Sequence, residues 1–519
     1  MTAAPPEKGQ ARTLAAGSLA QWTAQLTGLL SMFAIVTVLA RKLSLSELGA
    51  YGLLNSLAGY LLIVQNAGAG AAVRDMAAAP DQDGRDSVYS TAAFLYLMAG
   101  LIAGVLVALL GIVLAGGMDL SADATHQVRV GSLLLGGVTA IGWPITVTRD
   151  ALRARQLFVR AAMTETAALV VYVALVLGLA FSDAGLSLVI GASGTIPLLS
   201  GLGCAVVART SRVPFRLRRR SVRRSVARAI VGTAGYLSLT EAFAASIYAL
   251  NRALLGLFKS AATVGLFEGP IRAHNLVRAL NSAETVTTLP TAARYQAEGD
   301  DARLTALLVR GTRYTLALVV PIAVTAMLLG GPILRVWLGP GFGEAGGALA
   351  ILLSHWLVSG CTGVLIAILV AVGRAADVAR WAGALAVLNL LLALALIPVI
   401  GLEGAAVATA APYLALFPVL LRMALRRVPV PLGSLVREAF LPAYVPALVL
   451  AGVLGAIRLA VDVHGLGMVA ALALAAPLAY WLAYYGLWLR PEERRLVREV
   501  AGDLLPVSGG RRRAAGPRP

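Results

Sequence analysis

The chain has 519 residues, of which 58% are hydrophobic and 13% are charged, and its mean hydropathy is +0.80. Because a soluble domain averages about 25% charged residues, this composition excludes an ordinary soluble protein and indicates a polytopic membrane protein. The formal net charge of +18 does not indicate a nucleic-acid partner, since the basic residues lie between apolar segments, as at a membrane surface.

Apolar segments follow one another along the chain and predict an all-α polytopic fold of about 14 transmembrane helices. The predicted spans are residues 14–40, 47–73, 88–115, 127–148, 161–181, 184–208, 229–256, 264–290, 312–334, 346–372, 379–399, 401–425, 440–460 and 466–489. Tight joins are predicted near Asp183 and Gly401. Cys204 and Cys361 lie in apolar segments, so no disulfide framework is expected.

The basic residues orient these spans. If the N-terminus is cytoplasmic, 35 of the 44 Lys and Arg residues fall on one side of the membrane and 7 on the other. Cytoplasmic loops carry such an excess. The asymmetry predicts an even number of spans and two cytoplasmic termini.

Polar side chains in the earlier spans predict a cavity. The candidates are Gln21 and Gln25 in span 1, Asn55 in span 2, Glu165 in span 5 and Glu241 in span 7. For the amides, the alternative is hydrogen bonding between helices. Glu241 lies near mid-membrane and is expected to be protonated, to pair with an arginine of the next span, or to bind a coupling cation. Glu165 is a second candidate for ion coupling.

The longest basic stretch, RTSRVPFRLRRRSVRR from Arg209 to Arg224, follows the sixth span. It could attract anionic lipid head groups, or it could act only as a topology anchor and linker. In either case it marks a boundary between two halves of the chain.

The two halves carry a repeat. ARKLSLSELGAYGLLNSL from Ala40 aligns with LGLFKSAATVGLFEGPIR from Leu255 at an offset near 216 residues. Six spans separate the copies, so both halves enter the membrane in one direction, and transporters with such repeats place the substrate between them. The predicted organisation is two pseudo-symmetric six-helix bundles at 12–208 and 229–425, a basic cytoplasmic linker at 209–228, two additional helices at 440–489 and a basic cytoplasmic tail at 490–519.

The eighth span, GLFEGPIRAHNLVRALNSAETVTTLP from Gly265, has a polar face that includes Glu268, Arg272, Asn275 and Arg278. A charge facing lipid costs at least about 2.5 kcal/mol, so this face is expected to border the protein interior or a water-filled cavity. Two guanidinium groups suit an anion such as phosphate. Glu268 and Arg272, at i and i+4, could instead pair with each other. Arg278 has no acid at a helical spacing and is the better ligand candidate.

Several signatures of enzymes are missing from the sequence. The outer loops are short, and there is no Walker motif, dinucleotide fingerprint or His/Cys metal spacing. The outer loops also lack the paired carboxylates expected of a membrane glycosyltransferase or polymerase. We therefore expect a protein without catalytic residues, cofactor or metal, driven by an ion gradient, the membrane potential or the substrate gradient.

The sequence resembles the polysaccharide transporter family of lipid-linked oligosaccharide flippases, in the multidrug/oligosaccharidyl-lipid/polysaccharide (MOP) superfamily. The resemblance covers residues 12–430 and rests on ARKLSLSELGAYGLLNSL, VGLFEGPIRAHNLV, LRVWLGPGF from Leu334 and LIPVIGLEGAAVAT from Leu396. The family usually has an acid or other polar residue near the outer end of span 7, where this chain has Asn251 and Arg252. The number of spans also resembles the lipid II flippase branch, whose two extra helices form a lipid groove.

The resemblance implies a flippase of the bacterial inner membrane. It would move an undecaprenyl-pyrophosphate-linked glycan to the outer leaflet by alternating access. Arg272 and Arg278 would hold the pyrophosphate, and Glu268 belongs to the same site. The expected sugar contacts are Gln21, Gln25, Asn55 and Asn275. The expected partners are the lipid-linked glycan, anionic membrane lipids and polysaccharide assembly proteins.

Two alternatives from the same superfamily are a lipid II flippase and a cation-coupled multidrug exporter. The exporter would need an anionic, aromatic-lined cavity rather than a basic one.

Overall fold

The computed structural model describes residues 27–28, 30–213, 215–489, 491–495 and 498. These residues form helices and connecting turns and contain no β-strand. Gln21 and Gln25 lie outside the described residues.

The first part of the chain forms eight helices. They are α1 (30–42), α2 (Leu45–Ala78), α3 (Gln82–Gly117), α4 (Ala122–Ile145), α5 (Val147–Ala154), α6 (Phe158–Phe181), α7 (Leu186–Ser193) and α8 (Thr195–Thr210).

The second part continues after a short 3-10 turn at Arg219–Ser221. Its helices are α9 (Arg224–Phe258), α10 (Ala261–Glu298), α11 (Asp301–Leu328), α12 (Gly330–Leu338), α13 (Gly346–Ser354), α14 (Trp356–Ser359), α15 (Thr362–Ala371) and α16 (Ala375–Leu425). A second 3-10 segment, Pro340–Ala345, joins α12 to α13.

The chain ends in α17 (Leu432–Leu435), a π-helical turn at Val436–Phe440, α18 (Leu441–Ala460) and α19 (Leu466–Leu487). Apolar side chains on α3 and α18 point away from the protein, among them Ile102, Val113 and Leu448, which are 62%, 70% and 72% exposed. Contiguous exposed apolar surface of this kind is typical of contact with lipid.

Within the described residues, eight helices are long and apolar enough to span a membrane, or nine with the bent pair α7 and α8. One of these, α16, is a hairpin. Asn389 Nδ2 donates to the carbonyl oxygen of Ala408 at 2.8 Å, and Trp381 Nε1 donates to that of Leu416 at 2.9 Å. In a straight helix, residues 19 positions apart would lie about 28 Å apart. The two arms therefore cross the membrane separately.

The predicted joins are where the chain turns. Gly401 has φ 57°, ψ −119° between the arms of α16. Asp183 and Gly185, between α6 and α7, have φ of 51° and 90°. With 34, 35 and 38 residues, α2, α9 and α10 are also long enough to span. With α1, these helices are consistent with the predicted number of about 14 crossings.

The sequence repeat has a counterpart in the caps of α2 and α10. Ser44 precedes α2 and accepts a hydrogen bond from the amide of Glu47, while Ser260 precedes α10 and accepts one from Thr263. Such a side chain satisfies one of the amides left free in the first turn of a helix. Ser44 and Ser260 are 216 positions apart, which is the offset of the repeat.

Glycines at the same offset let α2 and α10 touch. A side chain at Gly49 would overlap the carbonyl oxygen of Ala261, and one at Gly265 would overlap that of Leu45. The two contacts are equivalent: exchanging the two halves converts one into the other. An axis of approximate twofold symmetry between the helices would produce this arrangement. Only glycine permits this backbone approach.

The same end of the molecule has a second contact between the halves, from α1 to α12. Trp337 Nε1 donates to Thr37 Oγ1 at 2.6 Å, and Arg41 Nη2 donates to the carbonyl oxygen of Val336 at 3.0 Å. The rings of Phe33 and Trp337 stack at 4.7 Å. The α2–α10 and α1–α12 contacts are together called the outer closure, because the predicted orientation places them at the outer surface.

The basic linker lies against the start of α3. Amides of Arg216, Arg218 and Arg223 donate to the side chains of Asp86, Ser90 and Thr91, respectively, at 3.0, 3.0 and 3.1 Å. The linker is therefore held through its backbone, and its arginine side chains from 216 to 220 are exposed. Helix α9 begins at Arg224, before the predicted start of the second bundle, because its first turn extends beyond the apolar segment.

Candidate functional site

A cavity of about 360 Å³ lies between α1, α2, α6, α8, α9 and α10. Helix α1 contributes mainly small and apolar residues. The polar residues that line the cavity are Ser31, Tyr51, Asn55, Ser56, Tyr172, Arg252, Arg272 and Asn275. The cavity therefore combines residues of both predicted halves, as expected for parallel repeats.

An ion triad borders this cavity. Arg252 Nε lies 2.7 Å from Glu268 Oε1, and Arg272 Nε lies 3.0 Å from Glu268 Oε2. Glu268 is only 1% exposed. One carboxylate thus orients two guanidinium groups, and the triad keeps one net positive charge. This triad forms where α9 and α10 pack against α2.

The opposite helix makes room for the triad. A side chain at Gly52 of α2 would overlap the carboxylate of Glu268. One turn further along α2, Ser56 Oγ accepts a hydrogen bond from Arg252 Nη1 at 2.7 Å. Under the repeat offset, Gly52 and Ser56 correspond to Glu268 and Arg272, so the two halves supply complementary rather than identical side chains.

The structure separates the two arginines that the sequence grouped together. Glu268 and Arg272 form the i, i+4 pair, and Arg272 lines the cavity. Arg278 lies about 9 Å further along α10; it is exposed and is not among the residues that line this cavity. Arg252 takes the place beside Arg272 that was predicted for Arg278. The sequence signal for Arg252 is a lone arginine next to an apolar span, at the position where the family has a polar residue.

Of three other predicted site residues, two line the cavity and the third has a side chain outside the described ones. Asn55 lines the cavity and donates to the carbonyl oxygen of Tyr51 at 3.1 Å, and Asn275 also lines it. Glu241 lies on α9, in a stretch whose side chains are outside the described ones.

Glu165 lies in a separate cluster where α5 meets α6. Arg153 Nη2 donates to both of its carboxylate oxygens, at 2.9 and 3.0 Å, and Arg149 Nε lies 3.6 Å away. Neighbouring Asp150 accepts a hydrogen bond from Tyr96 at 2.8 Å. These partners hold Glu165 away from the cavity, so the structure does not bring this predicted ion-coupling residue together with Arg252 and Arg272.

Asn251, at the outer end of α9, is buried among neutral partners. Its Nδ2 donates to Thr409 Oγ1 at 2.8 Å and to the carbonyl oxygen of Ala405 at 3.3 Å. This side chain therefore joins α9 to the second arm of α16. Among the described residues, no group of three or more His, Cys, Asp or Glu side chains could hold a metal ion.

A second cavity of about 470 Å³ lies between α18 and α19, and its surface is almost wholly apolar. It is lined by Val445, Val449, Val453, Tyr480, Leu487 and Trp488. Val449 and Val453 are 64% and 52% exposed, so the cavity is a groove open to the lipid-facing surface.

Comparison with known families gives two matches. The model of the polysaccharide biosynthesis protein family matches residues 38–345, which is more than half of the chain. The model of the lipid II flippase MurJ matches residues 281–475. Among curated proteins, no match was found.

Solved structures with the same fold are transporters. Lipid II flippase MurJ in an inward closed conformation has a TM-score of 0.70 at 14% identity, covering 93% of this chain and 99% of that chain. An inward-facing multidrug resistance MATE family transporter has a TM-score of 0.63 at 16% identity, covering 78% and 94%.

A MOP superfamily transporter from Pyrococcus furiosus has a TM-score of 0.54 at 14% identity, covering 82% of this chain and 96% of that chain. Such identities establish the fold alone. The fold is thus that of the MOP superfamily, and the chain belongs to the polysaccharide biosynthesis protein family.

Proposed function

We propose that this protein is a flippase that moves a lipid-linked oligosaccharide or polysaccharide precursor across the bacterial inner membrane. The main support for this function is the ion triad of Arg252, Glu268 and Arg272, which has a net positive charge and lies at a cavity shared by both halves. Family membership and fold support the same activity. A multidrug exporter for cations would place an anionic group there instead.

The pyrophosphate of an undecaprenyl-pyrophosphate-linked substrate binds at Arg252 and Arg272. Guanidinium groups donate several hydrogen bonds in a fork that fits phosphate oxygens, and Glu268 holds both forks in position before the substrate arrives. Asn55 and Asn275 line the same cavity and contact the sugars. Arg278, about 9 Å further along α10 toward the cytoplasm, attracts the negatively charged substrate on its way to the cavity.

The lipid tail occupies the groove between α18 and α19. A polyprenyl chain is too apolar for the polar cavity, whereas the groove is almost wholly apolar and open to the membrane. The resemblance to the lipid II flippase branch supports this use of the two additional helices. The tail stays in the bilayer while the head group crosses.

Transport proceeds by alternating access of two six-helix bundles, residues 12–208 and 229–425. The outer closure supports a state closed toward the outside, with the cavity accessible from the cytoplasm. Both termini lie in the cytoplasm, and the exposed arginines of the linker face anionic lipid head groups. Polysaccharide assembly proteins receive the translocated glycan at the outer leaflet.

The test is leaflet accessibility of a lipid-pyrophosphate oligosaccharide in proteoliposomes. Arg252→Ala and Arg272→Ala are expected to slow translocation roughly tenfold or more, since a hydrogen bond to a charged group contributes about 1.5–3 kcal/mol. Arg272→Lys keeps the charge opposite Glu268 and is the variant that tests the guanidinium fork in a folded protein. Arg129→Ala, an exposed arginine on α4, is the matched control.

The proposal is supported if the wild type translocates the oligosaccharide, Arg272→Lys and Arg252→Ala translocate it more slowly, and Arg129→Ala behaves like the wild type. Full activity of both cavity variants contradicts the pyrophosphate site. Efflux of a hydrophobic cationic dye without translocation of the oligosaccharide contradicts the flippase and identifies a drug exporter.

A further inference from the structure

Two buried histidines face each other beside the cavity. His274 on α10 and His355, at the start of α14, are 0% and 1% exposed, and their Nε2 atoms lie 3.1 Å apart. The chain has four histidines. The other two, His126 and His464, are exposed. His274 is two residues from Arg272 and next to Asn275, both of which line the cavity.

A serine hydroxyl is the hydrogen-bond partner of the second histidine of this pair. Ser359 Oγ donates to the carbonyl oxygen of His355 at 2.9 Å and lies 2.8 Å from His355 Nδ1. When the hydroxyl gives its one proton to that carbonyl oxygen, Nδ1 of His355 donates to Oγ. Nε2 of His355 is then an acceptor, and Nε2 of His274 donates to it. The neutral pair shares one proton between its Nε2 atoms.

A second proton does not fit this arrangement. Protonation of both Nε2 atoms would place two N–H groups against each other across 3.1 Å, and a proton on another ring nitrogen would leave a charged imidazolium buried in the protein. Separation of the two rings relieves either arrangement. Since His274 and His355 belong to different helices, separation moves α10 relative to α14.

The surroundings of the pair contain few titratable groups. On α10, the charge that acts on His274 is that of Arg278. The ring of Tyr413 from α16 stacks on His355 at 4.5 Å. Helices α13 and α15 carry no titratable side chain, and α14 carries none either.

Helix α11 packs on the same region. It carries Arg313 and Tyr314, and both are bonded to Glu493. Toward the outer side, α10 carries the Glu268–Arg272 pair.

We propose that His274 and His355 form a proton-binding site that couples proton movement to transport. This rests on the proposed flippase function. In the outward-closed state the pair is neutral and holds α10 against α14. A proton from the outside binds the lone pair of His355 Nε2, and the pair separates. Helix α10 then moves, and Arg272 of the cavity moves with it. The same proton leaves to the cytoplasm when the pair re-forms.

Helix α10 is built to bend at this point. Pro270 lies one turn before His274 within the helix. Proline lacks an amide hydrogen and removes one hydrogen bond of the helical ladder, so α10 can change its angle there without breaking further backbone bonds.

The test uses proteoliposomes that contain a lipid-pyrophosphate oligosaccharide, with and without an imposed pH gradient, acid on the outer side of the protein. If one proton is exchanged per lipid, the steady-state ratio between leaflets shifts by up to about tenfold per pH unit. The double variant His274→Gln/His355→Gln replaces both rings by amides, which can still form a hydrogen bond with each other but cannot be protonated. It is expected to translocate without a gradient and to show no response to one. His126→Gln/His464→Gln is the matched control.

A second measurement needs no variant. A pH-sensitive dye inside vesicles of the wild type is expected to report proton movement when the lipid-linked oligosaccharide is added. Absence of this signal, or a gradient response that persists in the double variant, overturns the proton site. Lack of any translocation by the wild type, with or without a gradient, instead overturns the flippase function itself.

Discussion

Glu268 determines whether the arginines of the cavity can exist as a pair. Two guanidinium groups bordering one small cavity repel each other, and the buried carboxylate lies within 2.7 and 3.0 Å of them. Breaking a buried ion pair by removing one partner is costly, because the remaining charge has no compensation. The residue thus stabilises the empty protein as well as the orientation of the site.

Glu268→Gln tests this role. We expect a loss of about 3–5 kcal/mol of stability, seen as a lower midpoint of thermal unfolding in detergent, because Gln keeps the volume and removes the charge. Glu298→Gln is the control. Glu298 also lies near two arginines, Arg294 and Arg303, but it is 47% exposed, and exposed pairs contribute at most about 1 kcal/mol. Equal midpoints for the two variants would contradict a stabilising triad.

At the scale of the helix, the proposed function makes the groove between α18 and α19 the element that would distinguish a lipid-linked substrate from a free one. Val449→Trp places an indole in this groove. Each buried methylene that is displaced costs about 0.8 kcal/mol, so we expect slower flipping of a long polyprenyl-linked glycan and unchanged flipping of a short-chain analogue. Leu459→Trp, on the same helix and 93% exposed, is the control.

The measurement is the rate of translocation in proteoliposomes for the two chain lengths. If Val449→Trp and Leu459→Trp flip the long-chain substrate at the same rate, the lipid tail does not bind in the groove. An equal loss for both chain lengths would show a general packing defect rather than a tail-binding site.

The helices themselves follow closely from local sequence. Hydrophobic runs gave the spans, and the turns near Asp183 and Gly401 were predicted from the end of one run and the start of the next. Of the residues assigned to the polar face of α10, Arg272 and Asn275 line the cavity, whereas Arg278 does not. Hydrophobic periodicity reports which residues share a side of one helix, but not which neighbouring helix that side contacts.

Contacts between helices are where sequence reasoning stopped. Arg252 reaches Glu268 from another helix, and His274 meets His355 at a separation of 81 positions. Nothing in either local pattern shows which faces of two helices meet. The sequence favours Arg278 as a ligand because its own helix has no acid at a helical spacing, whereas the packing of α9 against α10, which brings Arg252 to Glu268, is not visible in the sequence.

At the scale of the whole molecule, the outer closure depends on how closely the two halves approach. Gly49 and Gly265 occupy equivalent places in the repeat, and each lies against a carbonyl group of the other helix. A transporter with alternating access must break this contact in each cycle, so the contact has to be tight enough to seal and free of side chains that would interlock.

Gly49→Ala is therefore expected to hold the outer closure open. The added methyl group overlaps the carbonyl oxygen of Ala261, and overpacking of this kind costs about 1–3 kcal/mol, which falls only on the closed state. A cysteine introduced at Ile35, which lines the cavity, should react faster with an impermeant maleimide added from the outer side. The native Cys204 and Cys361 are buried and give a low background.

Gly59→Ala, further along α2, is the matched control, because a side chain there meets no atom within 4 Å. In that open position Ala is expected to leave labelling unchanged and to stabilise the helix by up to about 1 kcal/mol. If Gly49→Ala and Gly59→Ala label at the same rate, the glycine contact does not control access from the outside. If only Gly49→Ala labels faster, the free energy of the outward-closed state depends on the approach of α2 to α10, two of the helices that line the cavity.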